Sequence, residues 1–205
     1  MHLQLSQMKY FLFFVFVLVV QVVLSQEKSP VRFGIKAGVN LSHINFSKGS
    51  IPPDPPVSTN WQPGMVAGLI VMVPLTHNFY FQPEYLFSQM GGIVENENRQ
   101  FAINYASLPV ILKWEFLNKF FLLAGPQFDL LINAKEKAGD IESSIDDDIE
   151  HRSVFITGGL EYNFLNNLVL GIKYMHGLNH VDTEKENGNQ EFKYEGLQLS
   201  FSYLF

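Results

Sequence analysis

Six ionisable residues sit within otherwise apolar segments that alternate with period two: Lys36, Glu84, Lys113, Asp129, Glu161 and Lys173. Three are cations and three are anions. On the polar faces of β-strands around a narrow, poorly hydrated interior, such a set must pair and hydrogen-bond, because an isolated charge there is costly. Asn40, Gln127, Thr157 and Asn163 share those faces and supply uncharged partners. The expectation is a charge-balanced network with a structural role. The alternative is that some of the carboxylates line a substrate passage.

Other chemistry has weaker ingredients. His176 and His180 could meet Ser88 or Ser153 and an acidic partner, but a catalytic triad is defined by a geometry that scattered positions do not supply. No enzymatic activity and no catalytic residue are expected. The segment 134–151 carries Asp140, Glu142, Asp146, Asp147, Asp148 and Glu150, hard oxygen donors suited to Ca²⁺, Mg²⁺ or divalent bridges to lipopolysaccharide. Their spacing is not that of an EF-hand, so a solvated acidic loop is expected, with no metal and no cofactor. GGIVEN and GLEYNF lack the spacing and following helix of phosphate-cradling loops. IPPDPP at 51–56 reads as a stiffened spacer.

The elements that position these residues follow from the period-two pattern. Eight strands are expected at about 31–42, 63–73, 78–90, 101–114, 120–133, 152–164, 167–177 and 192–205. Their connections alternate between tight (Pro74–His77, Glu115–Lys119, Leu165–Asn166) and long (His43–Gln62, Gly91–Gln100, Ala134–His151, Leu178–Glu191). Short turns at one end, long loops at the other and an even strand number describe an outer-membrane barrel with both termini in the periplasm. In the closing strand, Leu197, Leu199, Phe201, Tyr203 and Phe205 alternate with Gln198, Ser200 and Ser202. That pattern sets one row against lipid and the other against a polar lumen. Phe79, Phe81, Pro83, Tyr85 and Phe87 form an aromatic row suited to lipid rather than to a narrow interior. Tyr80, Tyr85, Trp61, Trp114, Tyr162, Tyr174 and Tyr203 are girdle candidates. MVAGLIVMV and ASLPVILKW are apolar on both faces, which leaves their registers open, and Pro109 implies a break in the ladder. Gly34, Gly38, Gly68, Gly125, Gly159 and Gly171 are expected to face inward and make room for long side chains.

Lys9 followed by the apolar run Tyr10–Leu24 is a secretory signal peptide, and Val23 and Ser25 satisfy the small-residue rule for cleavage after Ser25. The domains are thus a signal peptide, 1–25, and a barrel, 26–205. Without cysteine there are neither disulfides nor an N-terminal lipid anchor. Loss of Lys9 takes the formal net charge from −6 to −7, which argues against nucleic acid as a partner.

Several segments resemble a known family, the outer-membrane β-barrel proteins of Bacteroidota that include the PorT proteins, with an OmpA-like transmembrane barrel. They are GIKAGVNLS (34–42), PGMVAGLIVMVPL (63–75), FYFQPEYLFSQMGG (79–92), NYASLPVILKW (104–114), AGPQFDLLINAK (124–135), GGLEYNF (158–164), LGIKYMHGLNHV (170–181) and LQLSFSYLF at the end. The resemblance implies an all-β, eight-stranded, antiparallel, transmembrane up-and-down barrel in the outer membrane of a Gram-negative cell. It implies much less about activity: only some members are tied to a secretion system, whose subunits would then be partners. Outer-membrane lipid, lipopolysaccharide and the outer-membrane assembly machinery are the other expected partners, the last through a C-terminal signal at Phe201, Tyr203 and Phe205. A structural barrel acting through its loops, or a narrow pore, is the alternative.

Overall fold

The computed structural model describes residues 31–45, 59–94, 99–139, 141–146, 150–165, 167–178, 181–183 and 190–205. The expected signal peptide, IPPDPP, Asp140, Asp147, Asp148 and His180 lie outside them. Eleven strands follow in chain order: β1 (Arg32–Asn45), β2 (Thr59–Asn60), β3 (Gln62–Pro74), β4 (Phe79–Val94), β5 (Arg99–Leu117), β6 (Phe120–Ala138), β7 (Ile141–Ser144), β8 (Arg152–Asn163), β9 (Leu168–Gly177), β10 (Val181–Thr183) and β11 (Gln190–Leu204). Eight of them, β1, β3, β4, β5, β6, β8, β9 and β11, run antiparallel in sequence order. β11 returns to pair with β1 from Gly34↔Leu204 to Asn45↔Lys193, so the sheet closes into an up-and-down barrel without a free edge. The Phe205 N–H donates to the Phe33 carbonyl at 2.7 Å and fastens the last residue to the first strand. The short β2, β7 and β10 extend the wall at the long-loop end by pairing with β4, β6 and β11.

Alternation decides which side each residue faces. Phe33, Ile35, Val39, Leu41, Met65, Leu69, Tyr85, Leu112, Leu199 and Phe201 all point out of the wall and are exposed. An apolar surface of that extent belongs against lipid. The two strands of open register resolve cleanly: β3 buries Val66, Ile70 and Met72, and β5 buries the odd positions from Phe101 to Lys113. At Pro109 the ladder is interrupted. Pairing with β6 stops at Pro109↔Gln127 and resumes at Leu112↔Ala124, and pairing with β4 lapses between Pro83↔Val110 and Leu86↔Ser107. Proline has no N–H to give a ladder: Pro109 falls in the gap toward β4, and Pro126 on β6 falls in the gap between β5 and β6.

A run of ring contacts circles part of the tight-turn end: Phe79 to Trp114, Trp114 to Phe116, Phe116 to Phe120 and Phe120 to Tyr162, with Tyr203 against Phe205 farther round. This is an interfacial girdle. Tyr80 is not part of it. It turns inward, packs edge-on to Phe121 at 5.6 Å and donates to Glu115 Oε2 at 3.2 Å.

The lumen differs from the uniformly polar one expected. Toward the long loops it is apolar, packed with Ile44, Met90, Val94, Phe101, Ile103, Tyr105, Ala134, Ile145, Phe155, Met175 and Tyr194. Near the tight turns Ile70, Met72, Val169 and Leu204 form a second apolar cluster. Large aromatics therefore do fit inside this barrel, where they fill the level above the charges. The glycine positions do two kinds of work. A Cβ at Gly38 would lie 2.1 Å from the Leu199 carbonyl oxygen, and the nearest atom at Gly34, Gly68, Gly125 and Gly159 is likewise a neighbouring strand's carbonyl. At these positions glycine permits close approach of strands, and at Gly68 it also leaves room for a long side chain from the neighbouring strand.

Candidate functional site

Between the two apolar levels lies a charged waist. Lys36, Glu84, Lys113, Asp129, Glu161 and Lys173 are all buried there, each no more than 5% exposed. Lys36 on β1 reaches across β3 to Glu84 on β4, because the β3 residue opposite Lys36 is Gly68, which presents no side chain. Lys36 Nζ lies 2.5 Å from Glu84 Oε1 and 3.6 Å from Glu161 Oε1. Gln82 donates to the same Glu84 oxygen at 2.7 Å and accepts from Lys113 Nζ at 3.1 Å. Lys113 also pairs with Glu161 Oε2. The five side chains thus form a ring: Lys36, Glu84, Gln82, Lys113, Glu161 and back to Lys36.

One arm leaves the ring, and a second polar chain lies beside it. Lys173 stands 3.8 Å from Glu84 Oε2 and donates to Gln127 Oε1 at 3.4 Å; Gln127 in turn donates to Asp129 at 3.0 and 3.2 Å. Asp129 is therefore linked to the cations through a neutral amide, without a cation of its own in ion-pair range among the described residues. On the other side Gln198 donates to Asn40 Oδ1 at 2.8 Å, and Asn40 donates to Ser88 Oγ at 2.8 Å. Lys113 also lies 4.8 Å from the centroid of Phe121, a cation–π contact at the lower boundary of the waist.

Sequence reasoning named the six charges but not the roles of Gln82 and Gln198. Both share the inward parity of their strands, and that parity was the available signal. It also passed over Tyr105, Phe155 and Tyr194, because apolar residues at inward positions do not announce themselves in a barrel whose outside is apolar too. Of the four uncharged partners, Gln127 joins the arm and Asn40 the polar chain beside the ring. Thr157 instead donates to the Gly125 carbonyl at 3.0 Å, and Asn163 Oδ1 has no hydrogen-bond partner among the described residues.

The arrangement is suited to holding charge rather than to transforming a substrate. Each ring carboxylate is engaged by lysine, and buried apolar side chains separate the ring from both ends. The dispersed nucleophile candidates stay apart: Ser88 and Ser153 are buried in the lumen, while His176 stacks on Tyr174 on the outer face and lies 3.8 Å from Glu195. In the acidic segment Glu142 pairs with Lys135 at 2.6 Å, which lowers the glutamate's pKa and raises the lysine's. Asp146 accepts from the Ala134 N–H and, at 2.9 Å, from Ser144. Among the described residues no group of three or more His, Asp and Glu side chains is placed to hold a metal ion. Phe201, Tyr203 and Phe205 line the outer face of the closing strand.

A closed eight-stranded wall with a lipid-facing band, an aromatic girdle and a filled lumen defines a small integral barrel of the outer membrane. The chain belongs to the outer membrane protein beta-barrel domain family, whose model matches residues 21–183. Among solved structures it is similar to Neisserial surface protein A, with a TM-score of 0.53 and 12% identity over 86% of this chain and 100% of that one. Ail, the attachment invasion locus protein of Yersinia pestis, is also similar, with a TM-score of 0.48 and 15% identity over 85% of this chain and 98% of that one. At these identities the likeness concerns the fold. No curated protein sequence matches the chain at a significant level.

Proposed function

We propose that the protein is a noncatalytic outer-membrane barrel that works through its rims and loops, as a PorT-like accessory component of a protein secretion or surface-assembly system. The observation that carries this reading is the filled lumen, with apolar clusters buried on either side of the charged waist. A charged waist between two buried apolar levels offers no route for a substrate and no reactive group to solvent. What remains available for function is the outside: the lipid band, the tight turns and the long-loop end. In this reading the Lys36, Glu84, Lys113, Asp129, Glu161 and Lys173 network is structural. Phe201, Tyr203 and Phe205 present the closing strand to the assembly machinery, and lipopolysaccharide packs around the loop end. The family resemblance at QPEYLFSQ, LPVILKW and AGPQ supports the link to secretion.

A second reading is a structural or surface-interaction barrel acting through its loops. It is favoured by β2, β7 and β10, which build the wall up at the long-loop end and give it a shaped rim. A narrow pore is the least favoured, since both apolar levels would have to part. Gentle detergent extraction of the tagged protein from its native outer membrane, with cross-linking and mass spectrometry, separates the first two. Reproducible recovery of secretion-system subunits is the expected result. Recovery of the barrel with lipid alone would overturn the accessory role and leave the surface barrel.

A further inference from the structure

Beside the ring, a small cavity is lined by Lys36, Glu84, Glu161, Lys173, Gln198 and Ser200, and Gly171 keeps it open. A Cβ at 171 would stand 3.1 Å from Glu161 Cγ and 3.2 Å from Ser200 Oγ, so a side chain there would intrude on this lining. Two buried acceptors of the lining, Glu84 Oε2 and Gln198 Oε1, have no hydrogen-bond partner among the described residues. The Gln198 amide is oriented by the bond from its nitrogen to Asn40, so its unpaired atom is an oxygen. A third group is short of acceptors: Lys173 Nζ finds Gln127 only at 3.4 Å and Glu84 Oε2 only at 3.8 Å. Buried acceptors and ammonium protons are costly to leave unmatched.

We infer that this cavity binds one ordered water molecule, which donates its protons to Glu84 Oε2 and Gln198 Oε1 and accepts from Lys173 Nζ. The space is about that of a single water, and two to four polar partners are what a buried water requires. Other small occupants fit the chemistry less well. An anion would face two unpaired oxygens, a metal cation would face the ammonium groups of Lys36 and Lys173, and an ammonium ion would offer Lys173 no acceptor. The water is the junction of the waist. It ties the Asp129–Gln127–Lys173 arm and the Gln198–Asn40–Ser88 chain to the ring through Glu84. Held between two apolar levels, it leaves only when the barrel opens locally.

The test is nuclear magnetic resonance on the full mature barrel, refolded in detergent micelles with glutamine labelled with ¹⁵N, reading cross-relaxation between water and the Gln198 side-chain amide protons. The expected result is a cross-peak at the water frequency with the sign of a long-lived bound water, lost in Gly171→Ala. A folded wild-type barrel with resolved Gln198 amide signals and no such cross-peak would overturn the inference, whether or not the variant folds. So would an undiminished cross-peak in a folded Gly171→Ala barrel.

Discussion

The charged waist and the apolar level above it occupy the same lumen, and they are built on opposite principles. In the waist, each ring carboxylate is shared between partners: Glu161 serves Lys113 and Lys36, and Glu84 serves Lys36 and, at longer range, Lys173. In the upper level Phe155, Tyr105 and Tyr194 are in ring contact, with centroids 6.1 and 6.3 Å apart around Tyr194, and the phenols lie 3.5 Å from each other. The waist depends on charge balance and the upper level on volume. A small barrel can therefore be filled by two unlike cores, each exposed by a different kind of substitution.

The largest effect is expected where one carboxylate serves two cations. Glu161→Ala leaves Lys113 and Lys36 without their shared partner and should destabilise the barrel by about 3–5 kcal/mol, as loss of one member of a buried pair does. Urea unfolding from lipid vesicles, followed by Trp61 and Trp114 fluorescence, measures it. Removing Lys113 as well should recover part of the loss, and a purely packing-based waist would show no recovery. In the upper level Phe155→Ala should cost about 3 kcal/mol through the cavity it creates. In the same unfolding assay its cost should be indifferent to neutralisation of Glu84, since the two cores are separate. At the closing seam Gly38→Ala forces a methyl against the Leu199 carbonyl, and about 1–3 kcal/mol of strain is expected.

The smallest effect concerns the strap over the upper level. Ile145 belongs to that apolar cluster, its N–H donates to the Ala134 carbonyl at 3.0 Å, and the Ala134 N–H donates back to Asp146. That backbone bond, with help from Ser144, holds the Asp146 pKa below its ordinary 3.8. The carboxylate's contribution is therefore fully present above about pH 4, near the unfolded value, and fades as pH falls through the lower folded value. Hydrogen exchange at the Ala134 amide should accelerate on acidification below that point, beyond the intrinsic change, while amides of the waist strands hold. Asp146→Asn should remove the extra pH dependence.

How much of this was legible in the chain follows from the same contrast. Alternation shows the wall, the eight strands and the inward charges, because a lysine or glutamate inside an apolar strand has one acceptable side. It does not separate an inward Phe155 or Met175 from an outward Leu170, since both faces of a barrel strand can be apolar. The polar waist could be read while the apolar levels could not, and the registers of β3 and β5 stayed open for that reason. Nor did parity show that Gly68 opens the path from Lys36 to Glu84, because β3 lies between their strands and only the closed register brings the three together.

Ion conductance of the purified barrel in a planar lipid bilayer tests whether the lumen is sealed above and below its charged waist. Folded wild-type protein at neutral pH should give no resolvable channel steps. Reproducible steps that change size or ion preference in Glu84→Gln or Lys36→Met would contradict a sealed lumen and place an open path through the waist.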